Sequence, residues 1–221
     1  ALNNQESLIV AGQTALLEAA VAAGVRRFFP SDFSVDYRKL APGDNYNLDM
    51  RKAFLPRLLE AKIEHTLVLN GGFHEIAAAP FVGWIDLAAG AVRVWGDGDQ
   101  KMDFTGTTDT ARYVAAAALD PRLANRALRI AGSEISTNEA VAMLERIRPG
   151  KFRPQTAGSV AELREAWERQ RAKTPENPWS YLGSQYLWAM VSGVGKLDAL
   201  DNGLYPEIQP ESLESYLART L

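Results

Sequence analysis

Two short segments put chemistry-bearing residues at the ends of apolar runs. Pro30-Ser31-Asp32-Phe33 follows Arg26-Arg27-Phe28-Phe29, and Asn70-Gly71-Gly72-Phe73-His74 follows His65-Thr66-Leu67-Val68-Leu69. In an open α/β sheet, ligands bind outside the carboxyl ends of the strands, so these two exits mark a candidate crevice for a small molecule. The Asn70 amide can donate and accept, and Gly71 and Gly72 allow close approach of the backbone to a ligand. Lys52 stands between the two segments. If its helix starts at the same sheet edge, the ammonium reaches the crevice, and a pKa lowered by burial would let it exchange a proton. Each residue also has an ordinary reading: Lys52 a solvated helix residue, Asp32 a turn or capping residue, His74 a packed ring.

The elements that must hold these side chains can be read from periodicity. Leu8, Ile9, Gln13, Leu16, Leu17, Ala20 and Val21 follow helical spacing, with Gly24 as the closing residue. Residues 26–30 read as a buried strand. A helix is expected over about Leu48 to Ala61, with Phe54, Leu55, Leu58 and Leu59 on its apolar side. Pro56 predicts either a kink or a start near Ala53. Residues 65–70 read as a second strand. Helix then strand, twice in succession, is the pattern of crossovers in a parallel sheet. A helix feeding straight into a buried strand belongs to the middle of such a domain, so the chain is expected to begin partway through a fold.

Beyond residue 80 the texture changes, which puts a soft boundary between residues 1–80 and 81–221. Residues 91–104 read as two alternating runs around Gly96-Asp97-Gly98, a hairpin signal. Residues 107–121 form a helix ended by Asp120-Pro121, and residues 126–132 a strand. Ser136 with Glu139, and Ser159 with Glu162, have capping-box spacing ahead of helices. Residues 173–179 read as a loop, residues 185–193 as a short apolar helix, and Pro210 as the first residue of a last helix. Trp167, Trp179, Tyr181, Tyr186 and Trp188 suit either an aromatic pocket or the core.

Composition excludes several classes. The 221 residues carry a net charge of −3 and no long basic run, which argues against a nucleic-acid partner. With no cysteine there is no disulfide, thiol catalysis or Cys-ligated zinc, and a cytoplasmic protein is expected. No stretch is long and apolar enough to imply a membrane partner. Neither histidine has metal-ligand spacing to the other, the acids of 96–103 lack EF-hand spacing, and G-x-S-x-G, Walker and G-x-G-x-x-G motifs do not occur.

Several stretches together resemble the NmrA-like branch of atypical short-chain dehydrogenases, which includes isoflavone reductases and phenylcoumaran benzylic ether reductases. AGVRRFFPSDF (23–33), KAFLPRLLEA (52–61), HTLVLNGGF (65–73) and LYPEIQPESLESYL (204–217) are similar to family segments, as is the run from Trp95 to Arg122. The resemblance implies a Rossmann-type parallel sheet with a smaller, mixed α/β C-terminal substrate region. It implies a dinucleotide, NADP(H) ahead of NAD(H), and a small, aromatic substrate that receives a hydride. Pro30, Ser31, Asp32, Phe33, Lys52, Asn70, Gly71 and Phe73 would then contact the cofactor. Lys52 would act as general acid or base, with Tyr46 and His74 on the substrate side. The family's first strands and Gly-rich phosphate loop are expected upstream, in a stretch of about 70–90 residues. The rival reading is a non-catalytic NAD(P)-binding sensor that controls a protein partner.

Overall fold

The computed structural model describes residues 7–221. Ser7–Gly12 winds as a wide π-helical turn and passes directly into α1 (Gln13–Ala22). Ile9, Gln13 and Leu17, spaced four apart, form the buried stripe, while Leu8, Leu16 and Val21 face outward. Gly24 closes the helix as expected. At φ +68° it lets its own N–H donate to the Val21 carbonyl at 3.1 Å and the Val25 N–H to the Ala20 carbonyl at 2.9 Å.

The elements then run β1 (Arg27–Phe28), α2 (Tyr46–Glu60), β2 (Glu64–Leu69), β3 (Gly72–Phe73), β4 (Ile85–Asp86), β5 (Ala91–Trp95) and β6 (Met102–Thr105). They continue through α3 (Thr107–Leu119), β7 (Arg126–Arg129), β8 (Ser133–Ile135), α4 (Thr137–Ile147), β9 (Arg153–Gly158), α5 (Val160–Lys173), α6 (Trp179–Val191) and α7 (Leu213–Thr220). The strands pair in three groups: β1-β2-β7, all parallel, then β3-β6-β8 and β4-β5-β9, each mixed. This is an α/β fold on a parallel sheet, and β7 returns from beyond residue 80 to pair with β2. One core joins Leu17, Phe54 and Leu69 to Trp84, Phe104, Leu144 and Trp188.

Four expectations need correction. The strand expected over 26–30 pairs only at Arg27 and Phe28, because Pro30 has no N–H for a ladder and its carbonyl accepts from Asp32 N–H at 2.9 Å in a tight turn. Helix α2 starts at Tyr46, not near Ala53: Asn45 Oδ1 accepts the Leu48 N–H at 3.1 Å and caps it. Pro56 sits inside this helix with its ring exposed, while Met50, Phe54 and Leu58 are buried on the opposite side and offset its cost. The runs around Gly96-Asp97-Gly98 do not pair with each other. β5 lies between β4 and β9, and β6 between β3 and β8. The turn is real, with Gly96 and Gly98 at positive φ, but it carries the chain from one sheet to another. Finally, α7 is capped by Ser212, which accepts the Ser215 N–H at 3.1 Å, and Pro210 lies ahead of that cap.

Both capping boxes form as expected, on α4 and α5. Helix α6 begins six residues earlier than its apolar run, at Trp179. It packs on α5 through Trp167 and Trp188, whose rings meet edge-on at 6.1 Å with Arg164 4.7 Å above Trp188.

Candidate active site

The two strand exits come together through main-chain bonds. Ser34 bridges to Leu69 in parallel fashion, and the Ser34 carbonyl accepts from Asn70 N–H at 3.0 Å and Gly71 N–H at 3.2 Å. The loop after β1 and the turn after β2 thus form one rim. Between them opens a cavity of about 280 Å³, walled by Phe33, Phe73, Phe81, Tyr186 and Met190, with Ser31, Ser34, Arg51, Gly71 and Gly72 supplying polar groups and backbone. A few polar groups in a mostly apolar, concave site is the usual composition of a small-molecule pocket.

Two glycines shape it. Gly71 has φ +67°, and a Cβ there would lie 2.2 Å from the Asp103 carbonyl oxygen, so the turn crosses β6 at a distance only glycine permits. Asp103 is itself tied down, accepting from Lys196 Nζ at 2.5 Å and Leu197 N–H at 2.8 Å. On the other side, a Cβ on Gly183 would lie 1.7 Å from the Phe81 carbonyl oxygen, so α6 presses directly on the segment that carries Phe81.

Beneath the rim sits a buried acid. Asp32 Oδ2 accepts from Tyr37 Oη at 2.9 Å, and Oδ1 has no partner among the described residues. Burial pushes the Asp32 carboxyl up to about 6, against the opposing pull of the Tyr37 hydrogen bond and of the Arg51 and Arg38 charges. The next residue, Phe33, is held at φ +32°, a strained conformation for a bulky side chain. Arg51 reaches across from α2: its Nε donates to the Asp32 carbonyl at 2.8 Å and its Nη1 to the Asn47 carbonyl at 2.9 Å.

The residues singled out in the sequence fall in three places. Ser31, Phe33, Gly71 and Phe73 line the cavity. Pro30, Asp32 and Asn70 are buried behind them, and neither Asn70 side-chain atom has a partner among the described residues. Lys52, Tyr46 and His74 are not among the lining residues. Lys52 Nζ donates to the Leu40 carbonyl. Tyr46 stands half-exposed at the start of α2, its N–H donating to Gln185 Oε1 at 3.1 Å. His74 is buried with its ring 5.5 Å from that of Tyr216, and burial pushes its pKa down. Of the C-terminal aromatics, Tyr186 lines the cavity, Trp167, Tyr181 and Trp188 are core, and Trp179 is exposed.

Sequence reasoning passed over Arg51, Phe81 and Met190. A signal for Arg51 exists: Asn47, Arg51, Phe54 and Leu58 make one buried stripe at helical spacing. Among the described residues there is no acid or histidine cluster suited to a metal ion, and no helix long and apolar enough to cross a membrane.

A parallel α/β sheet with a crevice at the carboxyl ends of its strands defines a Rossmann-like protein. The chain belongs to the NmrA-like family, which it matches over residues 2–155. It is 32% identical over 165 residues to an NmrA-like family domain-containing oxidoreductase of Gibberella moniliformis, covering 73% of this chain and 51% of that protein. It is 30% identical to the isoflavone reductase homolog IRL of Zea mays, covering 97% of this chain and 72% of the relative. The chain therefore spans about half the length of the first relative and under three quarters of the second. The binary complex of leucoanthocyanidin reductase with NADPH from Vitis vinifera shares the fold, with a TM-score of 0.78 at 18% identity over 98% of this chain and 75% of that one.

Proposed function

We propose that the protein is an NADP(H)-dependent oxidoreductase that reduces a small, aromatic substrate. The observation that carries this reading is the crevice at the ends of β1 and β2, walled by Phe33, Phe73, Phe81 and Tyr186. Family membership and the oxidoreductase and reductase names of the relatives support it. The NADPH complex of the Vitis reductase supports the choice of cofactor.

The residues present fit the nicotinamide end of a dinucleotide. Phe33 and Phe73 offer flat apolar walls, and Gly71 and Gly72 leave room where side chains would intrude. Buried Asn70 has a side-chain amide with no partner among the described residues, suited to a carboxamide. When bound, the dinucleotide supplies the hydride. Ser31, Phe33, Gly71 and Phe73 would hold the ring, with Pro30 and Asp32 shaping the loop behind them. Residues 1–80 would carry this half, and residues 81–221 would close the substrate side through Phe81, Tyr186 and Met190.

Lys52 is not among the residues lining the cavity and its ammonium donates to the Leu40 carbonyl, so the proton-exchange role implied for it requires the side chain to turn toward the crevice. That geometry favours, as a second reading, a protein that binds the dinucleotide without turnover and signals to a protein partner. The two readings separate in one experiment: NADPH titration of the full chain, followed by NADPH oxidation in the presence of aromatic carbonyl and enone acceptors. Saturable binding with oxidation supports the enzyme, and binding without oxidation by any acceptor supports the sensor. Absence of NADPH and NADH binding sinks both.

A further inference from the structure

His74 is fully buried, and neither nitrogen of its ring completes a hydrogen bond among the described residues. Its neighbours come from several elements. Glu75, in the same short turn, accepts from Thr107 Oγ1 at 2.6 Å. At the start of α3, a Cβ on Gly106 would stand 3.4 Å from His74 Nδ1 and 3.7 Å from Asp109 Oδ2, so ring and carboxylate share one small space. Asp109 also accepts from Arg112 at 3.3 Å and, ahead of α7, from the Glu211 N–H at 2.7 Å. From α7 itself, the Tyr216 ring lies 5.5 Å from the imidazole. Arg219 stands 5.3 Å from the Tyr216 ring and pairs with Glu211 at 3.1 Å.

We infer that His74 is a proton-operated latch for α7: proton uptake by its ring favours a form in which α7 and the segment from Glu211 lift away and the ring meets water. A neutral imidazole can stay among apolar neighbours, whereas an imidazolium carries a charge and two donors that need partners. Burial pushes the pKa of the packed ring below 6.5, against the pull of the Glu75, Glu211 and Asp109 carboxylates and the Phe104 backbone. A hydrated ring has its ordinary pKa, so the lifted form takes the proton first and gains population as pH falls. Among the elements around the ring, α7 is held least firmly. It is eight residues long and seats two fully buried side chains, Leu213 and Leu217, whereas β6 is paired on both sides and α3 runs 13 residues. Phe73, a wall of the crevice, immediately precedes His74, which puts the latch against the site. The latch works whether or not the crevice turns over a substrate, so each reading can fail without the other.

Hydrogen exchange of the full chain from pH 7.5 to pH 5.0, expressed as protection factors, tests this. Protection over residues 211–217 should fall at least threefold relative to α5 and α6. The fall should begin near pH 6.5 and level off where the His74 Cε1–H NMR signal titrates. In His74→Phe, which keeps a ring and cannot titrate, the fall should disappear. Unchanged relative protection in wild type overturns the inference without any variant, so a poorly folded His74→Phe protein does not shelter it. A fall that continues below the titration of His74 overturns it as well. So does a fall that persists in folded His74→Phe, which would assign the acid response to Asp109 or Glu211.

Discussion

Tyr37 Oη donates to Asp32 Oδ2 at 2.9 Å under the floor of the crevice, joining a short helical turn to the loop that carries Phe33. Both groups are buried, so the bond works where water cannot compete. Tyr37→Phe removes the donor and leaves the carboxylate less well satisfied. A hydrogen bond to a charged group contributes about 1.5–3 kcal/mol, so this variant should lose roughly that much stability at pH 7.5. Below about pH 5 the carboxyl is neutral and the loss should shrink. Urea denaturation at both pH values checks this; an equal loss at each would show that Tyr37 does not act on the charged form.

The raised pKa of Asp32 sets a pH dependence with a definite sign. A carboxyl at about 6 in the folded state, against 3.8 as its ordinary value, binds more protons folded than unfolded between those limits. Its contribution to stability is complete below pH 3.8 and is lost as pH rises through about 6. The shift corresponds to about 3 kcal/mol of destabilisation at neutral pH. Asp32→Asn has no charge to bury and should flatten that fall, while keeping an acceptor for Tyr37. A stability–pH profile from pH 4 to 8 for both proteins reads the difference, and parallel profiles would remove Asp32 as its source.

His74 contributes the opposite slope. Burial lowers its pKa below the ordinary value of 6.5, so the unfolded chain takes up its proton first as pH falls. Stability is unaffected by this group well above pH 6.5 and declines below it. His74→Phe retains a ring to pack on Tyr216 and removes the titration, so the variant should hold its stability in acid better than wild type. The two profiles should converge at pH 8, apart from a constant packing offset. An unchanged acid limb in the variant would mean that His74 does not titrate in this range.

What could be read from the sequence divides along physical lines. Gly24, Ser136 with Glu139, and Ser159 with Glu162 marked helix ends correctly because a cap is satisfied within a few residues of itself. The partners of β5 and β6 were not legible. Gly96-Asp97-Gly98 specifies a turn, but strand pairing depends on contacts with β9 and β8, far along the chain. Whether Arg51 or Lys52 lines the cavity turned on helix phase. Starting α2 near Ala53 hides the stripe of Asn47, Arg51, Phe54 and Leu58, whereas starting it at the Asn45 cap exposes it. The strand-end rule located the crevice from Ser31, Phe33, Gly71 and Phe73, while Phe81 and Met190 arrive from segments with no local mark of their role.

Gly71 and Gly24 provide a paired test of why the crevice floor has its shape. Both have positive φ, +67° and +68°, so alanine pays a similar conformational cost at each, about 1 kcal/mol. Their surroundings differ. Among the described residues a Cβ at Gly24 meets nothing within 4 Å, while one at Gly71 would stand 2.2 Å from the Asp103 carbonyl oxygen and 2.6 Å from its Cβ. Relief at Gly71 requires moving the backbone of β6, whose Asp103 is anchored by Lys196 and Leu197. Gly24→Ala should therefore cost about 1 kcal/mol, and Gly71→Ala at least about 3 kcal/mol. In partially folded preparations of Gly71→Ala, ligand binding at the crevice should weaken before global unfolding, because the rim formed with Ser34 shifts first. Urea midpoints of the two variants, with hydrogen exchange at Asn70 and Gly71, measure both effects. Equal costs would show that β6 yields and that close approach to Asp103 does not hold the floor in place.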